Sequence, residues 1–279
     1  MKKLLVTATI TALFASPVFA DKHDGKSAAT AKKAKVEVTD IDAVTSASLV
    51  QKEYLQQYTP KGFSQSDAKK ALFVLADPRQ RSVNMDLAYT AMAHLEAQGI
   101  EVEVRDLYAM EWQPVLHKEE FYFQKDGIGE PQEDVAHEQA LIERADYVIF
   151  SYTNWHDTPN AMIKGYQERV FSKKFAYDSG AKGPVGLLKG KGMYTIMNCG
   201  FLGGGRGYIG DGVGINDAKW ESYMKAFKVL DDDTSSWWGM ENLGRFMNDR
   251  TPKNDSDNYQ SEIKQLRQDL TKHLDKVFL

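Results

Sequence analysis

The chain has 279 residues, 42% apolar and 27% charged, with a formal net charge of −4. It is long enough to bury a full core and ordinary in composition for a globular protein. The mild acidity, with no basic patch and no RNP-like motif, argues against a nucleic-acid partner, and a single cysteine, Cys199, excludes an intrachain disulfide.

The first twenty residues stand apart. Lys2 and Lys3 form a positive start, Leu4 to Phe14 is apolar apart from three threonines, and Ser16-Pro17-Val18-Phe19-Ala20 has the form of a cleavage site. The pattern predicts a signal peptide over 1–20 and export to a periplasm or beyond the cell; an uncleaved anchor is the other reading. The run is too short for a bilayer span and no other segment reaches that length, so no stable membrane anchor is expected. Asp21 to Lys35 is polar and rich in Lys and Ala, which suits a flexible leader. Leu49, Tyr54, Leu55 and Tyr58 could line one face of a short helix resting on the main domain. These pieces make a leader and N-terminal extension over 21–69, before a domain at 70–279.

Ala71 to Ala76 is a nearly all-apolar run, as in a strand buried on both faces of a parallel sheet. Asp77 to Arg81 breaks it. Ser82 is a helix N-cap, Met85, Ala88, Met92 and Leu95 form one apolar stripe, and Gly99 stops the helix. Ile100, Val102 and Val104 alternate as a second strand. Met110 to Pro131 is a long connection holding Trp112, Pro114, Phe121, Tyr122 and Phe123; a structureless loop of that length is usually functional or packed over something. Asp134 caps a helix to Ala145, and Tyr147 to Tyr152 is a third strand. Pro159 opens a helix that runs to about Phe171. Lys173 to Leu188 is a Gly-containing loop, Met193 to Asn198 a fourth strand, and Gly200 to Gly214 a Gly-rich loop. Trp220 to Leu230 is a helix, Asp231-Asp232-Asp233 a solvated turn, with calcium binding the other reading, Leu243 to Met247 a fifth strand and Ser261 to Phe278 a final amphipathic helix.

This alternation predicts an α/β fold, a doubly wound parallel five-stranded sheet with helices on both faces. Right-handed crossovers then bring three loops to one sheet edge, Asp77–Asn84, Thr153–Pro159 and Asn198–Tyr208, and ligands in such folds bind there. The first offers Arg79, Arg81, Ser82 and Asn84 beside a helix N-terminus, which suits a phosphate or pyrophosphate, although a solvated basic turn has the same composition. It is neither GxGxxG nor a Walker loop. The second places Trp155 and His156 where a planar heteroaromatic ring could lie, or where a tryptophan simply packs. The third has the most permissive backbone in the chain. Cys199 reads as a buried or ligand-covered thiol, with redox activity the alternative. The histidines and carboxylates show no metal-ligand spacing.

Several segments in order resemble the flavodoxin-like NAD(P)H:quinone oxidoreductases, of the DT-diaphorase and modulator-of-drug-activity-B types. ALFVLADPRQRSVN resembles their first flavin-phosphate loop, and DLYAMEWQPVL is similar to their DLYAMxFxP segment. ERADYVIFSY with NAMIKGYQERVF resembles the second loop and its helix. GLLKGKGMYTIMNCG and WWGMENLGRFMND resemble segments of the bacterial branch. The resemblance implies FAD, with FMN second, and NAD(P)H as co-substrate. It further implies two-electron hydride transfer to a quinone or similar small acceptor, and a homodimer. Carried over by position, Arg81, Ser82 and Asn84 would hold phosphate. Asn154, Trp155 and His156 would frame the isoalloxazine, and Asn198, Cys199 and Gly200 would reach its pyrimidine edge. Tyr208 and His156 would serve the chemistry. The family commonly has His where Asp77 stands, and its second loop opens with Pro and paired aromatics where this chain has Thr153. Reduced nicotinamides are cytoplasmic, so export also leaves room for a non-catalytic binding module or a flavin electron carrier.

Overall fold

The computed structural model describes residues 54–126, 130–199, 217–252 and 256–279. The first strand, β1 (Lys70–Ala76), is buried along its whole length because both faces are covered. Leu72, Val74 and Ala76 face one apolar cluster, while Ala71, Phe73 and Leu75 face another, the two-residue alternation that splits a strand between two layers. Helix α1 (Val83–Ala97) follows. Its Ser82 cap accepts from the Met85 amide at 3.2 Å, and Met85, Ala88, Met92 and Leu95 are buried beneath it. Gly99, at φ +86°, turns the chain into β2 (Glu101–Asp106).

Strands β3 (Tyr147–Thr153), β6 (Gly192–Asn198) and β7 (Glu241–Asn248) complete a five-stranded sheet in the order β2-β1-β3-β6-β7, with every neighbouring pair parallel. The order reverses between β1 and β3, which makes that crevice the topological switch point. Helix α1 and the last helix, α6 (Tyr259–Phe278), cover one face, with Ile263, Leu266, Leu270 and Leu274 turned inward. Helices α3 (Glu133–Arg144) and α4 (Ala161–Val170) supply Val135, Leu141, Ile142, Ile163, Tyr166 and Val170 to the opposite cluster. The doubly wound parallel sheet expected from the sequence is therefore present.

Four local expectations change. The connection 110–131 contains a helix, α2 (Lys118–Asp126), held by tertiary contacts. Arg169, 3% exposed, donates to Glu120, Asp134 and the Gln113 carbonyl and lies 4.7 Å over the Trp112 ring. Asp134 thus sits inside the first turn of α3 and pairs with Arg169, and Gln132 takes the cap position without a side-chain bond. Residues 173–188 form a small antiparallel hairpin, β4 (Tyr177–Gly180) with β5 (Gly183–Gly186). Helix α5 runs from Asp217 to Trp238, straight through the triple aspartate. Asp231 is buried against Arg245 at 2.7 Å, and Asp232 accepts from Lys228 and Asn242, so two of the three charges have partners that a turn would not supply.

The extension also differs from a helix. Tyr54, Leu55 and Tyr58 do pack on the α1–α6 side, but their backbone is non-helical. Gln56 N–H and the Arg267 guanidinium donate to the fully buried Asp86, the Tyr58 hydroxyl donates to Glu96, and Gly62 N–H donates to the Val102 carbonyl of the edge strand β2. Residues 54–69 are thus a strap that covers an otherwise open sheet edge. Residues 1–53 lie outside the described part.

Candidate functional site

The C-terminal ends of β1, β3, β6 and β7 meet at one edge and are tied by side chains. At the end of β1, Asp77 is fully buried. Its carboxylate accepts from the Arg79 amide, Nε and Nη2 at 3.0 Å each, from Ser82 Oγ at 2.9 Å and from Thr153 Oγ1 at 2.8 Å. Asp77 therefore welds the first loop to the second.

Asn160 makes a second weld. Its Oδ1 accepts from the Ile163 amide and caps α4, and its Nδ2 donates to the Ala76 carbonyl at 2.7 Å. Between the next strands, Asn154 N–H donates to the Asn198 carbonyl, Asn198 Oδ1 accepts from Asn248 Nδ2 at 2.6 Å, and Cys199 N–H donates to the Asn248 carbonyl.

The second loop is a tight hairpin tip. Trp155 and Thr158 exchange both backbone bonds at 3.2 Å, and the two residues between them, His156 and Asp157, have φ of 53° and 60°. This is the primed-turn geometry that glycine or asparagine usually fills, so the pair stores strain at the site. The turn pushes Trp155 out to 40% exposure and leaves His156 exposed beside it. The third loop enters with Cys199, whose thiol is pushed up to about 12 by burial, then by Asp249 and Asp157. A thiol held neutral this way is structural at ordinary pH.

The structure thus gathers Arg79, Arg81, Ser82, Asn84, Asn154, Trp155, His156, Asn198 and Cys199 at one edge, while Gly200 and Tyr208 lie outside the described residues. Arg79 and Ser82, read from sequence as phosphate ligands, are directed at Asp77. Asn84 is fully buried with both polar side-chain atoms unbonded, and the Asn154 Oδ1 is buried without a partner. Buried amides in that state fit a polar ligand more readily than an empty edge. A planar ring with a hydrogen-bonding rim fits Trp155, Asn154 and Asn198, whereas a phosphate would meet Asp77. Asn160, Asn248 and Thr153 were missed by sequence reading. Asn160 could have been found, because Asn directly before an apolar helix is a strong N-cap. Among the described residues no group of His, Cys, Asp or Glu could hold a metal ion.

An uncharacterized NAD(P)H oxidoreductase of Haemophilus influenzae is 35% identical over 130 residues, 46% of this chain and 63% of that protein. The ribosyldihydronicotinamide dehydrogenase [quinone] of Pongo abelii is 32% identical over 142 residues, 44% of this chain and 60% of that protein. These matches span less than two thirds of either relative's length. The solved NAD(P)H:quinone oxidoreductase of Methanothermobacter marburgensis superposes with a TM-score of 0.56 at 18% identity, covering 74% of this chain and 99% of that one; at that identity the likeness is one of fold. A family model described as flavodoxin-like fold matches residues 69–274. With this strand order, this switch-point edge and these relatives, the chain belongs to the flavodoxin-like family, within the group similar to the NAD(P)H:quinone oxidoreductases.

Proposed function

We propose that this chain is a flavin-dependent oxidoreductase that passes a hydride equivalent from a nicotinamide-type donor to a quinone-type acceptor. The observation that carries the reading is the set of buried, unpartnered amide atoms, both of Asn84 and the Oδ1 of Asn154, at the switch-point edge of a flavodoxin-like sheet. FAD is the first choice of cofactor and FMN the second. When bound, the flavin would supply the two-electron chemistry.

The chain's own residues would do the rest. Of the first loop, only Arg81, Asn84 and the start of α1 would be left for the phosphate end, because Arg79 and Ser82 are committed to Asp77. Trp155, 40% exposed at the hairpin tip, would cover the ring and shield it from water. Asn154 and Asn198 present polar groups to its rim. Quinone reduction also consumes protons; the exposed His156 is a donor at that edge, and the family resemblance adds Tyr208 as a second candidate. Asn160 and Asp77 are positioning residues, because each fixes one loop relative to another.

The other parts of the reading rest on sequence. Lys2, Lys3 and the apolar run to Phe14 support export, and the family resemblance supports a homodimer. No described helix is long and apolar enough to cross a membrane. The assay is steady-state oxidation of NADH, NADPH and a ribosyldihydronicotinamide with a benzoquinone as acceptor, run on flavin-loaded protein. Turnover of about 1 s⁻¹ or faster with at least one donor is expected. A loaded protein that is inert with every donor would leave binding without catalysis.

A further inference from the structure

The first loop contains its own anion. A phosphate loop normally leaves its hydroxyls, guanidinium groups and amides open to the ligand. Here Arg79, Ser82 and Thr153 converge on Asp77, which is fully buried at the end of β1 and accepts five hydrogen bonds. A hydroxyl has a single proton to give. Ser82 gives its proton to Asp77 and accepts from the Met85 amide, so nothing is left to donate to a phosphate. Thr153 likewise donates to Asp77 and accepts from Arg79 at 3.3 Å. The Nε and Nη2 groups of Arg79 are turned inward onto the same carboxylate and onto Thr153, and the charge is neutralised pairwise at 3.0 Å.

We propose that Asp77 is the specificity-determining residue of this loop: it occupies the anion position and makes the site select its flavin by the ring rather than by the terminal phosphate. The ligand class follows from charge. A phosphate monoester carrying nearly two negative charges finds Arg79 already neutralised by Asp77 and the Ser82 and Thr153 protons already given to it, so its charge gains little from these groups. Riboflavin carries none, and in FAD the charge is spread over a diester-like pyrophosphate. The predicted order therefore places riboflavin and FAD close to FMN, where an open phosphate loop would put FMN far ahead of riboflavin. The inference rests on the flavin reading above, but it concerns which end of the molecule is recognised.

The test is equilibrium binding of riboflavin, FMN and FAD, followed by quenching of flavin fluorescence, to the wild-type chain and to Asp77→Asn, Arg79→Gln and the double variant. An asparagine keeps the shape, and the two hydroxyls can turn to accept from its Nδ2. In the wild type, FMN should bind no more than about 10-fold more tightly than riboflavin. Asp77→Asn should raise that ratio by a further factor of about 10 or more, by freeing Arg79 and Ser82. Arg79→Gln alone should leave the ratio at or below the wild-type value, because Asp77 then stands without its cation, and the double variant should lose the gain. The inference is overturned if wild-type FMN binds more than about 100-fold more tightly than riboflavin. The wild-type ratio decides the matter even if a variant fails to fold. If the wild-type chain holds no flavin while Asp77→Asn gains FMN, the inference stands and the proposed function fails. If no flavin binds to any of the four proteins, both are refuted.

Discussion

The weld between the first two loops can be measured at Asn160. The residue is 3% exposed, caps α4 through Oδ1 at 3.1 Å and donates Nδ2 to the Ala76 carbonyl at 2.7 Å. Asn160→Ala removes both bonds. Loss of the cap costs about 1 kcal/mol, and leaving the buried Ala76 carbonyl unsatisfied costs about 1–3 kcal/mol. Together the loss is about 2–4 kcal/mol, which for a domain of this size lowers Tm by roughly 5–15 °C. Asn160→Asp separates the two contributions. Aspartate is as good an N-cap as asparagine, but it would aim a carboxylate oxygen at the Ala76 carbonyl where a donor now sits. Asn160→Asp should therefore be at least as unstable as Asn160→Ala at neutral pH, despite the intact cap. Thermal unfolding followed by circular dichroism reads both. An Asn160→Asp protein with wild-type Tm would show that the bridge to β1 contributes nothing and that the two loops are not coupled in this way.

Three further outcomes follow from the packing. Arg169→Met leaves Glu120, 4% exposed, without its cation and should cost about 3–5 kcal/mol in urea unfolding; adding Glu120→Gln should recover part of that loss, and no recovery would mean the cost is in packing against Trp112. Glu101 is held near about 2, below the usual carboxylate value, chiefly by the Ser64 and Ser66 hydroxyls and the Ser64 amide. A depressed folded value stabilises above the unfolded value and is lost as pH falls towards the folded one. The stability gap between wild type and Glu101→Gln should accordingly narrow from pH 5 downward, and a gap constant with pH would contradict the strap's ion-dipole contacts. Cys199, 1% exposed with its thiol raised to about 12, should resist iodoacetamide in the folded protein at pH 8 and react once denatured; labelling at the rate of a free thiol would refute its burial.

Much of the fold is legible in the sequence because buried parallel strands are short apolar runs and their helices carry one stripe. Ala71–Ala76, Tyr147–Tyr152 and Met193–Asn198 are such runs, and all lie inside observed strands. The failures share a cause: long-range partners decided the local state. Residues 118–126 look like charged loop until Arg169, far along the chain, takes Glu120 into the core. Asp231-Asp232-Asp233 has turn composition, but Arg245 and Asn242 on β7 hold two of its carboxylates within a helix. Tyr54, Leu55 and Tyr58 do rest on the main domain, but as a non-helical strap, because Asp86 and Glu96 supply acceptors that it reaches. At the site, the residue types and their convergence were readable. The direction in which Arg79 and Ser82 point was not, since it depends on a carboxylate whose burial only the sheet creates.

The account turns on whether this edge holds a flavin. The most direct measurement is the visible absorbance spectrum of the protein after incubation with excess FAD, or FMN, and desalting, with the retained cofactor released and quantified. The account predicts a yellow protein carrying about one flavin per chain with a spectrum shifted from that of free flavin. A colourless protein with both cofactors would contradict it, and the three loops would then have to serve a different ligand.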